Sequence, residues 1–93
     1  MVFSLFELRF SNKSEKFIKK SDSKIKERLK DLFLKLQVNP VPVSYLDLRK
    51  IAGEKNIYRI RLSRFRVVYS VYWDEKIIRI IKIERRKEST YKR

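Results

Sequence analysis

The hydrophobic pattern of the first forty residues predicts one strand followed by two helices. Residues 2–10 alternate loosely between apolar and polar, which is typical of a strand. Asn12 and Glu15 have the spacing of a capping box and predict that a short helix opens at Asn12. Beyond it, apolar residues recur at the i, i+4, i+7, i+8 and i+11 positions of an amphipathic helix. These residues are Ile25, Leu29, Leu32, Phe33 and Leu36.

The boundaries of the long helix are marked by residues that favour caps and turns. The segment Ser21-Asp22-Ser23 ends the short helix and offers an N-cap to the long one. Asn39-Pro40-Val41-Pro42 ends the long helix, because neither proline can continue it. The pattern over Tyr45–Ile51 fits either a strand or a loop, and Ala52-Gly53-Glu54 predicts a turn.

The second half of the chain predicts three strands, over residues 57–62, 65–73 and 77–84, joined by turns of two and three residues. The resulting order is β-α-α-β-β-β. We therefore expect an α+β fold in which two N-terminal helices pack on one face of a mainly antiparallel four-stranded sheet. The tail from Arg85 is expected to be a short helical turn or a loose end, and residues 1–93 to form one domain.

Alternation along the predicted strands separates apolar residues from arginines. Tyr58, Ile60 and Leu62 share one parity, so Arg59 and Arg61 point to the opposite face of the sheet. On the next strand, Arg66 likewise lies opposite a run of apolar residues. If the apolar face packs on the helices, the three arginines converge on the open face.

The amino-acid composition indicates which kind of partner this basic face would bind. The 93 residues include 25 Lys and Arg against 11 Asp and Glu, which gives a net charge of +14. Arginines fork onto phosphate oxygens and stack on bases, so we expect RNA or DNA as a partner. The sequence has no Cys and no His, which excludes disulfides, the usual zinc sites and imidazole acid–base catalysis. We expect no metal, no cofactor, no membrane span and a cytoplasmic location.

At its arginine-rich strands the chain resembles the RelE toxins of bacterial and archaeal toxin–antitoxin pairs, within the RelE/ParE superfamily, and an archaeal member is expected. The resemblance is carried by Tyr58-Arg59-Ile60-Arg61-Leu62, by Phe65-Arg66-Val67-Val68-Tyr69 and by Arg85 six residues before Tyr91. Length, element order and the Asn39-Pro40 helix exit also agree, so the similarity covers nearly the whole chain.

The resemblance implies a ribosome-dependent, metal-independent mRNA endoribonuclease that inhibits translation. In such enzymes the ribose 2′-OH attacks the adjacent phosphate in the decoding site and leaves a 2′,3′-cyclic phosphate. The implied partners are the ribosome, mRNA and an acidic RelB-like antitoxin in a tight complex. Heterodimers of toxin and antitoxin are expected to form larger oligomers.

The same resemblance implies roles for individual residues. Catalysis is assigned to Arg85, Arg66 and Tyr91. Substrate contact is assigned to Arg59, Arg61, Arg64, Arg86 and Lys87. The general base stays open between Tyr91, Lys87 and Glu88, because Arg61 stands where family members have a lysine and a guanidinium is a very poor base.

Three other interpretations remain open at this point. The chain could be a ParE-like inhibitor of DNA gyrase with the same fold, or an RNA- or ribosome-binding module without chemistry. In the simplest interpretation, the alternating arginines form one solvated face and Tyr91 is a packing anchor.

Overall fold

The computed structural model describes residues 5–41, 47–51 and 56–85. Two helices and five strands follow one another in the order β-α-α-β-β-β-β. Their bounds are β1 (Glu7–Phe10), α1 (Asn12–Lys20), α2 (Ser23–Val38), β2 (Asp47–Lys50), β3 (Ile57–Leu62), β4 (Phe65–Tyr72) and β5 (Ile77–Arg85). The strands form one sheet in the order β1-β5-β4-β3-β2. β1 pairs with β5 in parallel, and the other pairs are antiparallel.

The predicted α+β class and mainly antiparallel sheet are confirmed, but the predicted count of four strands is wrong. The fifth strand is β2, which lies in the segment that the pattern left between strand and loop. Its four residues are too few to show alternation. β2 is a strand because its backbone pairs with β3, with Asp47 opposite Arg61 and Lys50 opposite Tyr58.

The helix boundaries follow from side-chain caps. Ser11, and not Asn12, caps α1: its Oγ accepts a hydrogen bond from the Ser14 backbone N–H at 3.1 Å, and Asn12 is the first helical residue. The predicted cap at Asn12 is therefore wrong by one position. Asp22 caps α2 as expected, accepting a hydrogen bond from the Ile25 N–H at 3.0 Å. α2 ends at Val38, and Asn39, the first residue of the predicted helix exit, is its C-cap.

The last two strands, β4 and β5, each differ from the predicted bounds by one residue. β3 has the predicted bounds, β4 ends at Tyr72 and not Trp73, and β5 continues to Arg85. Arg85 thus belongs to the sheet, where it pairs with Phe65, and does not start the tail. The predicted C-terminal tail or helix and the turn at residues 52–54 lie outside the described residues.

The core lies between α2 and the inner face of the sheet. The helix contributes the predicted apolar stripe, of which Ile25 is only partly buried. The sheet contributes buried residues from its three central strands, which are Ile60, Val67, Tyr69, Val71, Ile78, Ile80 and Ile83. Neither helix in the described part of the chain is long and apolar enough to cross a membrane.

One buried tyrosine ties the end of α2 to this core. The Tyr69 hydroxyl donates to the Pro40 carbonyl oxygen at 2.6 Å. Burial, with a smaller contribution from the neighbouring Tyr58, raises the pKa of Tyr69 above its ordinary value.

A β-bulge in β5 changes which residues face the core. Val68 pairs with Lys82 and Tyr69 pairs with Ile80, so Ile81 is the extra residue between them. Two serines of the α1 N-terminus hold the bulge: Ser11 Oγ donates to the Ile81 carbonyl at 2.6 Å, and Ser14 Oγ donates to the Ile80 carbonyl at 3.0 Å. Before the bulge the even-numbered residues Ile78 and Ile80 face the core, and after it the odd-numbered Ile83 does.

Candidate nucleic-acid interface

The face of the sheet opposite the helices carries two cross-strand rows of basic residues. In one row Arg49, Arg59 and Val68 lie side by side on β2, β3 and β4, and Lys82 follows on β5. In the next row Asp47 lies opposite Arg61, Arg61 lies opposite Arg66, and Arg66 lies opposite Glu84. We call these residues the arginine face: Arg49, Arg59, Arg61, Arg66 and Lys82. The structure thus brings together the three arginines that alternation assigned to one face.

Arg61 and Arg66 are direct cross-strand neighbours of the same charge. Like charges in this position destabilise a sheet, and an anion between two guanidinium groups removes the repulsion. A phosphate is such an anion. This pair is therefore the part of the arginine face best suited to hold a phosphodiester.

Arg66 is held in place by a carboxylate. Its Nη1 lies 3.7 Å from Glu84 Oε2, and Lys82 Nζ lies 3.8 Å from Glu84 Oε1. The Arg66 side chain is 34% exposed, but its Nε is buried without a hydrogen-bond partner among the described residues. Arg66 is thus anchored by Glu84, while about a third of its side chain stays accessible to an anion.

Arg85 projects to the other side of the sheet. It pairs with Phe65, a core residue, and its guanidinium carbon lies 5.6 Å from the centre of the Phe65 ring. Arg64, Arg28 and Lys24 line the same cleft of about 260 Å³, together with the carboxylate of Asp22. The structure therefore groups Arg85 with Arg64. Arg66 and Arg85 lie at the same end of the sheet but on opposite faces.

Four further candidate residues of the sequence analysis are not among the residues that the structure describes. Arg86, Lys87, Glu88 and Tyr91 lie outside the described residues.

Sequence reasoning missed three residues of this site. Arg49 lies on β2, which four residues could not reveal as a strand. Lys82 and Glu84 were missed because the bulge at Ile81 reverses the parity of β5, and no alternation in the sequence marks that reversal. The only signal for Glu84 was its charge, in a strand otherwise rich in isoleucine.

A separate apolar groove lies on the helix side, between α1, α2 and β1. It has a volume of about 480 Å³, and its apolar lining includes Leu8, Phe10 and Phe33. Three exposed lysines also line it, namely Lys19, Lys26 and Lys30. A groove of this kind suits an amphipathic segment with apolar residues on one side and acidic residues beside them.

Comparison with known proteins assigns this chain to a family of toxins. Residues 8–90 match the sequence model described as "ParE toxin of type II toxin-antitoxin system, parDE". The chain belongs to this ParE toxin family.

Its relatives include RelE proteins of archaea, which confirms the resemblance to RelE toxins. "Putative toxin RelE1" of Methanocaldococcus jannaschii is 42% identical over 66 residues, or 71% of this chain and 72% of that protein.

Two solved structures extend the comparison to the fold. The toxin fold of the archaeal RelE–RelB complex from Pyrococcus horikoshii matches with a TM-score of 0.81 and 28% identity, covering 91% of this chain and 99% of the other. The RelB–RelE antitoxin–toxin complex of Methanococcus jannaschii matches with a TM-score of 0.68 and 26% identity, covering 83% and 88% of the two chains.

Proposed function

We propose that this toxin is a ribosome-dependent mRNA endoribonuclease that stops translation by cutting mRNA in the decoding site. The observation that carries the proposal is the cross-strand pair Arg61–Arg66 within the arginine face. A face of this charge suits single-stranded RNA bound along its phosphates. The resemblance to RelE toxins implies that this RNA is mRNA.

The reaction requires stabilisation of the charge that builds up on the phosphoryl oxygens. Arg66 and Arg61 suit this task, since a guanidinium is always charged and can bind two oxygens at once. Glu84 keeps Arg66 in position through their 3.7 Å contact. With no histidine in the chain, catalysis relies on positioning and electrostatics, which the ribosome-bound mRNA geometry complements.

The second proposed catalytic arginine, Arg85, lies across the end of the sheet from Arg66. For both to touch one substrate, the RNA passes around the ends of β4 and β5, with Arg66 on one side and Arg85 with Arg64 on the other. Arg86 and Lys87 follow Arg85 directly in the sequence, and Tyr91 lies six residues after it. These three residues complete the proposed site.

Proton transfer has a further candidate in this proposal. Tyr91, Lys87 and Glu88 were the groups that the sequence offered as general base. Glu84 joins them because its carboxylate lies directly beside Arg66 on the arginine face. A carboxylate within reach of the 2′-OH accepts its proton at neutral pH.

The proposed partner that keeps the toxin inactive is an acidic, RelB-like antitoxin. The Pyrococcus horikoshii relative was solved as a RelE–RelB complex. Here the net charge of +14 and the lysine-lined apolar groove favour an acidic amphipathic segment that folds on binding. Heterodimers of this kind are proposed to assemble further.

Primer extension on a defined mRNA tests the proposal, with and without programmed ribosomes whose decoding site is empty. We expect a cut inside the decoding-site codon only when ribosomes are present. Arg66→Ala and Arg85→Ala should each lower the cleavage rate about 100- to 1,000-fold while ribosome binding persists. The matched control is Arg9→Ala, an exposed arginine on the edge strand β1 that pairs with Glu7 at 3.1 Å.

Each alternative outcome has a definite meaning. Intact mRNA on ribosomes that bind the folded protein would leave a binding module without chemistry. Full cleavage by Arg66→Ala or Arg85→Ala would remove that arginine from the mechanism. Full cleavage by a complex with the antitoxin would contradict neutralisation.

A second candidate function follows from the family match itself, which is to ParE toxins. A ParE-like protein of this fold would inhibit DNA gyrase and leave mRNA intact. Inhibition of supercoiling by the purified chain, with no cut in the ribosome assay, would favour this candidate.

A further inference from the structure

A small pocket opens on the same side of the sheet as the arginine face, farther along β3, β4 and β5. Its volume is about 230 Å³. The residues that line it are Asn56, Ile57, Ser70, Val71, Tyr72, Arg79 and Ile81. The pairing register explains why they meet, because Ser70 lies opposite Ile57 on one side and opposite Arg79 on the other.

A buried hydroxyl without a partner lies at this pocket. Ser70 alternates with the core residues of β4, so its side chain points away from the helices, yet it is only 6% exposed. Its Oγ makes no hydrogen bond within the described part of the chain. Buried polar groups are nearly always paired, because an unpaired one costs free energy. A ligand with a polar edge would supply the missing partner.

The bulge at Ile81 contributes to the shape of this pocket. Ile81 is the residue of β5 left without a partner on β4, and it forms part of the lining. Ser11 Oγ fixes it from the other side through the 2.6 Å bond to the Ile81 carbonyl. Bulges held in this way often lie next to functional sites and redirect side chains there.

The other side chains at the pocket suit a flat aromatic ligand that carries a phosphate. Tyr72 is 45% exposed, which leaves its side chain accessible for stacking. Ile57 and Ile81 provide apolar walls, and Arg79 provides a guanidinium. The volume is below that of pockets for drug-sized molecules and suits a single ring system.

The pocket lies within reach of RNA that is bound at Arg66. Ser70 lies four positions after Arg66 on β4, which amounts to roughly 13 Å along the strand. Stacked nucleotides advance roughly 3.4 Å each, so a bound strand reaches the pocket within a few nucleotides.

We propose that this pocket receives one unstacked base of the bound single-stranded RNA, with Tyr72 stacking on the base and Ser70 Oγ bonding to its edge. The proposal rests on the proposed function, which brings RNA to this side of the sheet.

The test is an abasic scan with the full chain and a short single-stranded RNA of defined sequence. A single abasic site is moved along the RNA, and each dissociation constant is measured by fluorescence anisotropy. We expect one position at which loss of the base weakens binding about 5- to 100-fold. In Tyr72→Ala this position should lose its effect. Trp73→Ala is the matched control, since Trp73 is equally exposed but packs on Phe6 with ring centres 5.7 Å apart.

Ser70→Ala provides a second variant whose folding is secure, because it removes a buried hydroxyl that has no partner. Its melting temperature should equal or exceed that of wild type. It should bind the intact RNA more weakly than wild type does. It should bind the RNA that lacks the critical base as tightly as wild type does. A scan with no sensitive position, or the same sensitive position in Tyr72→Ala, would overturn the pocket and leave the arginine face standing. Absence of RNA binding altogether would also overturn the pocket, whereas the proposed function is tested separately by the ribosome assay.

Discussion

Arg61 and Arg66 show how a single pair of residues can favour function over stability. Two guanidinium groups lie opposite each other on neighbouring strands, where opposite charges would stabilise the sheet. Glu84 compensates in part, through its contact with Arg66. Asp47 lies opposite Arg61 on β2, and a phosphate bound between the two guanidinium groups would add to this compensation.

Tyr69 leads to a prediction about stability and pH. Its raised pKa means that the folded protein favours the neutral phenol. The stabilisation is therefore fully present below pH of about 10, the pKa of an unfolded tyrosine, and is lost as pH rises above it. Tyr69→Phe lacks this titration and also lacks the bond to the Pro40 carbonyl, worth about 1 kcal/mol.

We expect wild type to be more stable than Tyr69→Phe at neutral pH, with the difference shrinking and then reversing at alkaline pH. Urea unfolding at a series of pH values measures the difference. Tyr72→Phe is the control, because it removes the same hydroxyl from an exposed tyrosine. A pH-independent difference for Tyr69→Phe would show that the phenol is not the titrating group.

The residues of the site divide into those that sequence could predict and those that it could not. Arg59, Arg61 and Arg66 were predictable, because β3 and the paired part of β4 alternate without interruption. The side on which Arg85 and Glu84 lie was not. It depends on the bulge at Ile81, which arises from pairing with β4 and from the α1 serines and has no local signature.

At the scale of elements, the N-terminus of α1 and the bulge of β5 form one unit. Ser14 is fully buried, and its Oγ donates to the Ile80 carbonyl at 3.0 Å. The Ser11 backbone N–H donates to the same carbonyl, also at 3.0 Å. The helix start thus fixes the position at which the parity of β5 changes, and with it the placement of Lys82 and Glu84.

Ser14→Ala tests this coupling. Loss of the hydrogen bond to Ile80 should cost about 1 kcal/mol and lower the melting temperature by about 4–8 °C. Ser23→Ala is the comparison, because Ser23 is exposed at the start of α2 and its loss should change stability by less than about 0.5 kcal/mol. Equal melting temperatures for wild type and Ser14→Ala would mean that the Ser14 hydrogen bond does not stabilise the bulge, which would leave Ser11 and strand pairing to hold it.

The elements themselves were largely predictable where they are long and periodic. The stripe of α2 and the spans of the last three strands came from repeating patterns and from turn residues. β2 and the α1 cap were not predictable to the residue. A four-residue edge strand is defined by its neighbour, and the choice between Ser11 and Asn12 depends on contacts with β5.

At the scale of the whole molecule, basic residues cover both sides of the sheet. The arginine face lies on one side, and exposed lysines cover the helices on the other. Net charge alone attracts RNA to either side. Only contacts that displace counterions from phosphates change the salt dependence of binding.

Two triple variants with the same loss of charge separate these contributions. Replacing Arg59, Arg61 and Arg66 by Ala should reduce the slope of log affinity against log salt concentration by about 2, since each contact with single-stranded RNA contributes about 0.7. Replacing the exposed α1 residues Lys13, Lys16 and Lys20 should change the slope much less. Equal changes would indicate attraction by net charge without a defined RNA path. Salt titrations of RNA binding give both slopes.

The parallel pairing of β1 with β5 has a consequence for how the toxin is made. Glu7 pairs with Ile77, 70 positions later in the chain. At a synthesis rate of about 5–20 residues per second, β1 waits roughly 4–14 seconds for its partner strand to emerge. During that interval the nascent chain has no complete sheet, and Leu8 and Phe10 lack the strand beside them. The toxin fold is thus completed only after β5 has been synthesised, which gives a chaperone or an inhibitor several seconds to reach the growing chain first.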